Sequence, residues 1–316
     1  MGDPFGSRMS EVVLRSRELR KVYASRSGPS VTALAGITLD VQRGERIALL
    51  GRNGAGKTTF LRIASTLLRP TSGAIEVFDV DVARHPERIR PYIAVVPQEG
   101  KPFFHLTPRE QIYTYLRARG LVRETAKART EVALEQMGLT DFADRLAITL
   151  SGGQRQRTMV ATVIATEAPL LFLDEPTIGM DPFARRSVWA SLRDLTRRGS
   201  TIVLTTHYLD EADALSQRLY IIERGQLLVS GTAEDLKRSV GGTLKVHMPD
   251  GAGSVDRFRS FGSCVTDGAG LTVIVAPERL GELMTVAVGA RLTATVGPVT
   301  LEEAFLNVVG RSIDAD

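Results

Sequence analysis

One stretch constrains this chain more than any other: residues 44–64, GERIALLGRNGAGKTTFLRIA, where an apolar run breaks into a glycine-rich loop and resumes in a helical pattern. Gly51, Arg52, Asn53, Gly54, Ala55, Gly56, Lys57 and Thr58 fit G-x-x-x-x-G-K-[ST], with a strand before the loop, a helix after it, and Thr59 following. That context makes the spacing chemically meaningful. Glycines let backbone N–H groups curl around a β- and γ-phosphate, Lys57 supplies a point charge, and the Thr58 hydroxyl is placed to ligate Mg²⁺. A nucleotide with its magnesium is the expected ligand.

Such a site needs a carboxylate from a neighbouring strand end. LLFLDE provides one: Leu170–Leu173 is apolar, Asp174 emerges to hold Mg²⁺, and Glu175 follows within reach of an attacking water. The same pair also reads as a helix N-cap Asp followed by a solvated Glu. In TIVLTTHYLDEAD, His207 sits just past another apolar strand, within reach of a γ-phosphate. A strand-end histidine alone is usually structural, so its weight comes from sharing an edge with the other two segments.

The pattern from the N-terminus to about residue 240 alternates strand and helix. LRKVYAS, GITLDVQ, GERIALLG, LLFL, TIVLTT and RLYIIE read as strands. Residues 107–165 turn helical: Thr107, Pro108 and Glu110 open PREQIYTYLRARG with a capping box, RETAKARTEVALEQM follows, and a third helix follows SGGQ. The expected organisation is a tail over 1–10, an α/β domain over 11–240 with a helical subdomain near 100–165, and a small α+β domain over 241–316. In that last part the strands and helices run β-α-β-β-α-β, the ferredoxin-like pattern, with the DGAG turn joining its second and third strands and a Thr300/Glu303 capping box opening a final helix.

Charge changes sign at the Gly241–Gly242 boundary. The whole chain carries +4, but residues 241–316 hold six Lys/Arg against nine Asp/Glu. The basic excess therefore lies in the first part and suits anionic partners, whether nucleotide phosphate, nucleic acid or an anionic membrane, although a solvated basic surface is an equal reading. Aromatics are only 6%, with no aromatic-rich basic tract for stacking single strands. The longest apolar stretch, MVATVIATEAPLLFL, is broken by Glu167 and Pro169 and falls short of the roughly 20 residues of a membrane span. No signal peptide is legible, and the lone Cys264 excludes an internal disulfide and reads as a small buried hydrophobe. A cytosolic setting is expected.

The segment TLSGGQRQR poses a separate question. Ser151 and Gln154 form a capping box, so a helix starts here, yet Gly152 and Gly153 weaken its first turn. Exposed N–H groups without side chains point to a second close approach by an anion, which the local sequence leaves unnamed.

With Tyr23, GRNGAGKTT, Gln98 in VVPQEG, LSGGQ, LLFLDE, Asp181 in TIGMD and His207 in order over residues 11–240, the chain closely resembles the nucleotide-binding subunit of ATP-binding cassette transporters. The resemblance implies a P-loop NTPase fold of α/β class and an ATPase in which Tyr23 stacks on adenine, Gln98 senses Mg²⁺ and the attacking water, Glu175 is the base and Asp181 communicates across a dimer. Arg52 stands where the family more often has Pro, with little effect expected. It further implies that Ser151, Gly152, Gly153 and Gln154 hold the γ-phosphate of ATP bound to the opposite subunit of a homodimer, or of a heterodimer with a similar chain. The C-terminal GPVTLEEAFLNVVG is similar to the drug-exporter branch, which implies export through a separately encoded transmembrane permease met near EGKPFFHLTPRE, with the ATPase peripheral on the inner face of the membrane. Phe103 and Phe104 read equally as that contact surface or as core. Family members acting on nucleic acid or the ribosome carry long coiled coils or two cassettes; neither is present, so no nucleic acid partner is expected. Importer energisation remains an alternative.

Overall fold

The computed structural model describes residues 11–24, 28–267 and 270–314. The tail over 1–10, the end of the first expected strand at Ser25 and the centre of the DGAG turn lie outside the described residues. Contacts divide the chain into compact units over residues 1–227 and 228–316.

In the first unit, β1 (Val12–Tyr23) pairs antiparallel with β2 (Val31–Gln42). β3 (Arg46–Leu50) leads through the glycine loop into α1 (Lys57–Ala64). β4 (Ser72–Val77) and β5 (Val80–Asp81) complete a sheet of order β2-β1-β4-β5. A short α2 (Pro86–Ile89) precedes β6 (Ile93–Val96). The helical part comprises α3 (Pro108–Ala118), α4 (Arg123–Gln136) and α5 (Gly152–Ile164). Thr107 Oγ1 accepts the Glu110 N–H at 3.2 Å and Glu110 accepts the Thr107 N–H at 2.9 Å, so α3 opens on the expected reciprocal cap. Next come β7 (Leu170–Asp174), α6 (Pro182–Arg197), β8 (Thr201–Thr205), α7 (Leu209–Leu215), β9 (Arg218–Glu223) and β10 (Gln226–Gly231), within which the division between the units falls.

The main sheet has order β10-β9-β3-β8-β7-β6, with β9, β3, β8, β7 and β6 parallel. Every residue of β7 and β8 is buried, as expected where a parallel sheet is covered on both faces. Phe60 of α1 is fully buried in the same cluster as Leu14 and Leu19 of β1, Ile47 and Leu49 of β3 and Phe172 of β7. Truncating Phe60 to Ala would cost about 3–5 kcal/mol and loosen the helix that carries the phosphate loop. In register, Asp174 lies beside Thr205 and Thr205 beside Leu49, so the ends of β7, β8 and β3 form one edge. Ligands of open α/β sheets bind at this carboxyl edge.

The second unit contains α8 (Ala233–Arg238), β11 (Leu244–Met248), α9 (Val255–Phe258), β12 (Gly262–Asp267), β13 (Gly270–Val275), α10 (Leu280–Gly289), β14 (Thr295–Pro298) and α11 (Leu301–Asp314). Its antiparallel sheet runs β12-β13-β11-β14 around a core of Val246, Met248, Phe258, Leu271, Val273 and Leu283. The last strand is shorter than RLTATVG suggested, because Arg291 adopts φ 55° and turns the chain after α10. Glu303 accepts the Thr300 N–H at 2.8 Å, whereas Thr300 Oγ1 takes the N–H of Glu302 at 3.3 Å, a shifted version of the expected cap. Cys264 is half-buried against the core rather than within it, and burial raises its thiol pKa. Among the described residues, no helix is long and apolar enough to cross a membrane.

Candidate active site

One steric demand on the phosphate loop falls at the start of α1. Gly56 caps α1 at φ 110°, and a Cβ there would stand 2.4 Å from the Ala33 carbonyl oxygen of β2. Only glycine satisfies both. Lys57 is buried, its ammonium donating to the carbonyls of Gly51 at 2.7 Å and Arg52 at 3.0 Å. Burial lowers its pKa, opposed by the charges of Glu175, Asp174 and Glu223. A cleft of about 200 Å³ is lined by Asn53, Gly54, Ala55, Gly56, Lys57, Thr58 and Thr59 together with Ala33, Gln98 and Glu175.

The carboxyl ends of β6, β7 and β8 deliver the remaining groups. Thr58 Oγ1 lies 3.1 Å from Asp174 Oδ1 and 3.4 Å from Gln98 Oε1. Thr205 donates to the same Asp174 oxygen at 2.5 Å, while the buried Oδ2 has no hydrogen-bond partner. Burial raises the Asp174 pKa, with the hydroxyls of Thr205 and Thr58 working against it. A hard cation would satisfy that orphaned oxygen, and a carboxylate, a hydroxyl and an amide oxygen form the donor set Mg²⁺ takes when phosphate and water complete its shell.

Glu175 is held in a conformation its side chain does not favour. Its φ is 50°, in the left-handed region, and its N–H donates to both the Thr205 carbonyl and the Thr205 hydroxyl at 3.1 Å. Gln156 of α5 donates to the Pro176 carbonyl at 3.2 Å, securing the chain beyond it. His207 places Nδ1 3.2 Å from Glu175 Oε2. Glu175 thus combines a buried carboxylate, access to the cleft and a fixed backbone.

Other expected site residues lie apart from this cleft. Tyr23, at the end of β1, is exposed with the Lys21 ammonium 5.3 Å from its ring centroid, a cation–π contact. Asp181 caps α6, accepting the N–H groups of Ala184 at 2.9 Å and Phe183 at 3.0 Å, and these hold its pKa below the usual range. Ser151 and Gln154 form the reciprocal cap of α5, at 3.2 Å and 2.8 Å. The two glycines after Ser151 differ. A Cβ on Gly153 would stand 2.9 Å from the Gly179 carbonyl, whereas one on Gly152 would meet nothing within 4 Å. The chain's own packing explains Gly153 and leaves Gly152 unexplained. Phe103 and Phe104 are 70% and 42% exposed, which removes them from the core.

A family profile for the ABC transporter matches residues 34–178. The chain is 36% identical to the daunorubicin/doxorubicin resistance ATP-binding protein of Streptomyces peucetius over 295 residues, covering 89% of each. It belongs to the ABC transporter family. This ABC ATPase is also 33% identical to a Nod factor export ATP-binding protein of Burkholderia orbicola, over 96% of its own length and 99% of that protein. A solved ATP-binding cassette, dimeric and bound to ADP and Pi after hydrolysis, superposes with TM-score 0.65 at 25% identity, over 69% of this chain and 98% of that one. Its enzymatic activity is ATP hydrolysis.

Sequence reasoning missed Ala33, Thr205, Gln156, Tyr208 and Glu211. Glu211 is completely buried, its Oε1 accepting from Thr177 at 2.8 Å and Trp189 at 3.1 Å. The acidic run after His207 was visible, but nothing in its spacing distinguishes a buried carboxyl from a solvated one.

Proposed function

We propose that two copies of this ABC ATPase close on two ATP molecules and that closure drives export through a separately encoded transmembrane permease, with the ATPase bound at the inner face of the membrane. The carrying observation is the separation of the two glycine loops: Asn53–Thr59, Gln98 and Glu175 share one cleft, and Ser151–Gln154 lie outside it. At about 200 Å³ the cleft is smaller than the roughly 300–1,000 Å³ of a complete small-molecule site, consistent with a second chain supplying the other wall. Gly152, open on its own chain, is the residue suited to face that second nucleotide.

In this reading Tyr23 stacks on adenine, the loop N–H groups and Lys57 bind the phosphates, and Thr58, Asp174 and Gln98 hold Mg²⁺. Bound there, the ion would neutralise charge developing on the phosphate oxygens. Glu175 takes a proton from water as the water oxygen bonds to the γ-phosphorus and the bond to the ADP oxygen breaks. His207 sits against both base and phosphate, Gln98 links the site to the helical part, and Asp181 reports across the dimer. Phe103 and Phe104 meet the permease.

Export rather than import is supported by the relatives' names, which include a resistance protein and a Nod factor export protein. The test is reconstitution with the permease that co-purifies, in inverted vesicles. ATP-dependent solute uptake into the vesicles is expected, and uptake only into right-side-out vesicles would overturn the direction.

A further inference from the structure

The imidazole beside the base is packed as well as paired. The His207 ring lies 4.1 Å from that of Tyr208, centroid to centroid, with planes at 38°. Over the Tyr208 ring, at 4.3 Å, sits the guanidinium of Arg185, whose Nη2 also binds both carboxylate oxygens of Asp210 at 2.9 and 3.1 Å. Arg185 is nearly buried, with 15% of its side chain exposed, and it reaches 5.3 Å from the Trp189 ring as well. It stands in the first turn of α6, and its own N–H donates to the Asp181 carbonyl at 3.0 Å. One continuous path of contacts therefore runs from Asp181 through Arg185 and Tyr208 to His207 and Glu175.

We propose that Arg185 and Tyr208 are positioning residues that hold His207 against Glu175, so that movement of the segment beginning at Asp181 is transmitted to the general base. The proposal rests on the assignment of Glu175 as base. A planar guanidinium can cover a ring face while its N–H fork holds a carboxylate, whereas an ammonium offers the ring only a point charge, and Phe preserves the ring that Leu removes. Asp210 anchors the guanidinium through Nη2 by a charge-assisted contact to both carboxylate oxygens.

The test is steady-state ATP hydrolysis by the full chain with Mg²⁺, with nucleotide binding measured separately. Tyr208→Leu and Arg185→Lys are expected to lower kcat by about tenfold to a hundredfold, the scale of a small misplacement at a reacting centre, while KM and Kd for ATP stay within about twofold. Tyr208→Phe is expected to retain kcat. Unchanged kcat in Tyr208→Leu and Arg185→Lys, loss in Tyr208→Phe equal to that in Tyr208→Leu, or parallel loss of ATP affinity would each overturn the proposal. Should Tyr208→Leu fail to fold, Arg185→Lys against Tyr208→Phe decides the matter alone. Glu175→Gln runs alongside: if it hydrolyses normally, the base assignment falls and the proposal with it, and if it is inert while Tyr208→Leu and Arg185→Lys are normal, only the stack falls.

Discussion

Glu175 is clamped to Thr205 through its own N–H, which meets both the carbonyl and the hydroxyl of that residue at 3.1 Å. Two strand ends thereby share one bifurcated contact, and the backbone that carries the carboxylate is fixed without depending on its charge.

Glu175→Gln should therefore keep its placement while losing its basicity. Turnover is expected to fall by about 10²–10⁴-fold, with ATP still bound and a nucleotide-loaded dimer accumulating. Single-turnover hydrolysis and size-exclusion chromatography check both halves; normal turnover removes Glu175 from the base role.

Lys57 has a different dependence, because its ammonium is buried against two loop carbonyls and three nearby carboxylates. Lys57→Ala leaves those carbonyls without their donor and the phosphates without their cation. ATP affinity should drop at least about tenfold, or 1.4 kcal/mol, by calorimetry. An unchanged Kd would sink the phosphate-loop assignment.

The adjacent glycines of the second loop should separate under mutation. In Gly152→Val the new Cβ meets nothing within 4 Å in its own chain and a poor helix former is replaced, so melting temperature and monomer ATP affinity are expected to hold while dimer formation and hydrolysis are lost. Gly153→Ala drives a methyl toward the Gly179 carbonyl and should cost about 1–3 kcal/mol of stability as well. Thermal melts of the two variants distinguish these outcomes, and a Gly152→Val chain that dimerises normally contradicts the second-loop role.

Glu211 makes the fold pH-sensitive in a definite direction. Burial raises its pKa above the ordinary carboxylate value, with hydroxyls of Thr206 and Thr177 and the Trp189 indole opposing. The folded chain thus holds the proton more tightly than the unfolded one, so its contribution to stability is complete below the unfolded value and is lost as pH rises through the folded value. Glu211→Gln removes that dependence. Near pH 7.5 the variant should melt higher, by roughly 2–4 °C for each kcal/mol recovered, and near pH 4.5 the difference should shrink. A difference constant with pH would contradict this.

What the sequence made legible was the chemistry of phosphate and the local chemistry of helix starts. Lys57, Thr58 and Asp174 are dictated by their ligand, and the caps at Thr107 and Ser151 by N–H groups that need acceptors. β4 and β6 escaped because SGAIEV opens on the turn-favouring Ser72 and Gly73 and IAVV, unlike LLFL, has no carboxylate at its end to mark it; their pairing with β1 and β7 makes them strands. The helix α7 was hidden for a related reason, since LDEADAL has only one turn of apolar spacing. Tyr208, Arg185, Trp189, Thr177 and Glu211 lie up to 34 residues apart and acquire meaning only where α6 and α7 meet. Their convergence is a property of the tertiary fold, and no local pattern encodes it.

The distance in chain between the two glycine loops also has a genetic reading. A Lys57→Ala chain keeps a sound SGGQ segment, and a Gly152→Val chain keeps a sound phosphate loop. If the sites are shared between copies, pairing these two inactive chains gathers both lesions into one site and leaves the other whole. Mixtures are therefore expected to recover hydrolysis that neither parent has, and the recovered fraction would count the sites that must fire for one cycle.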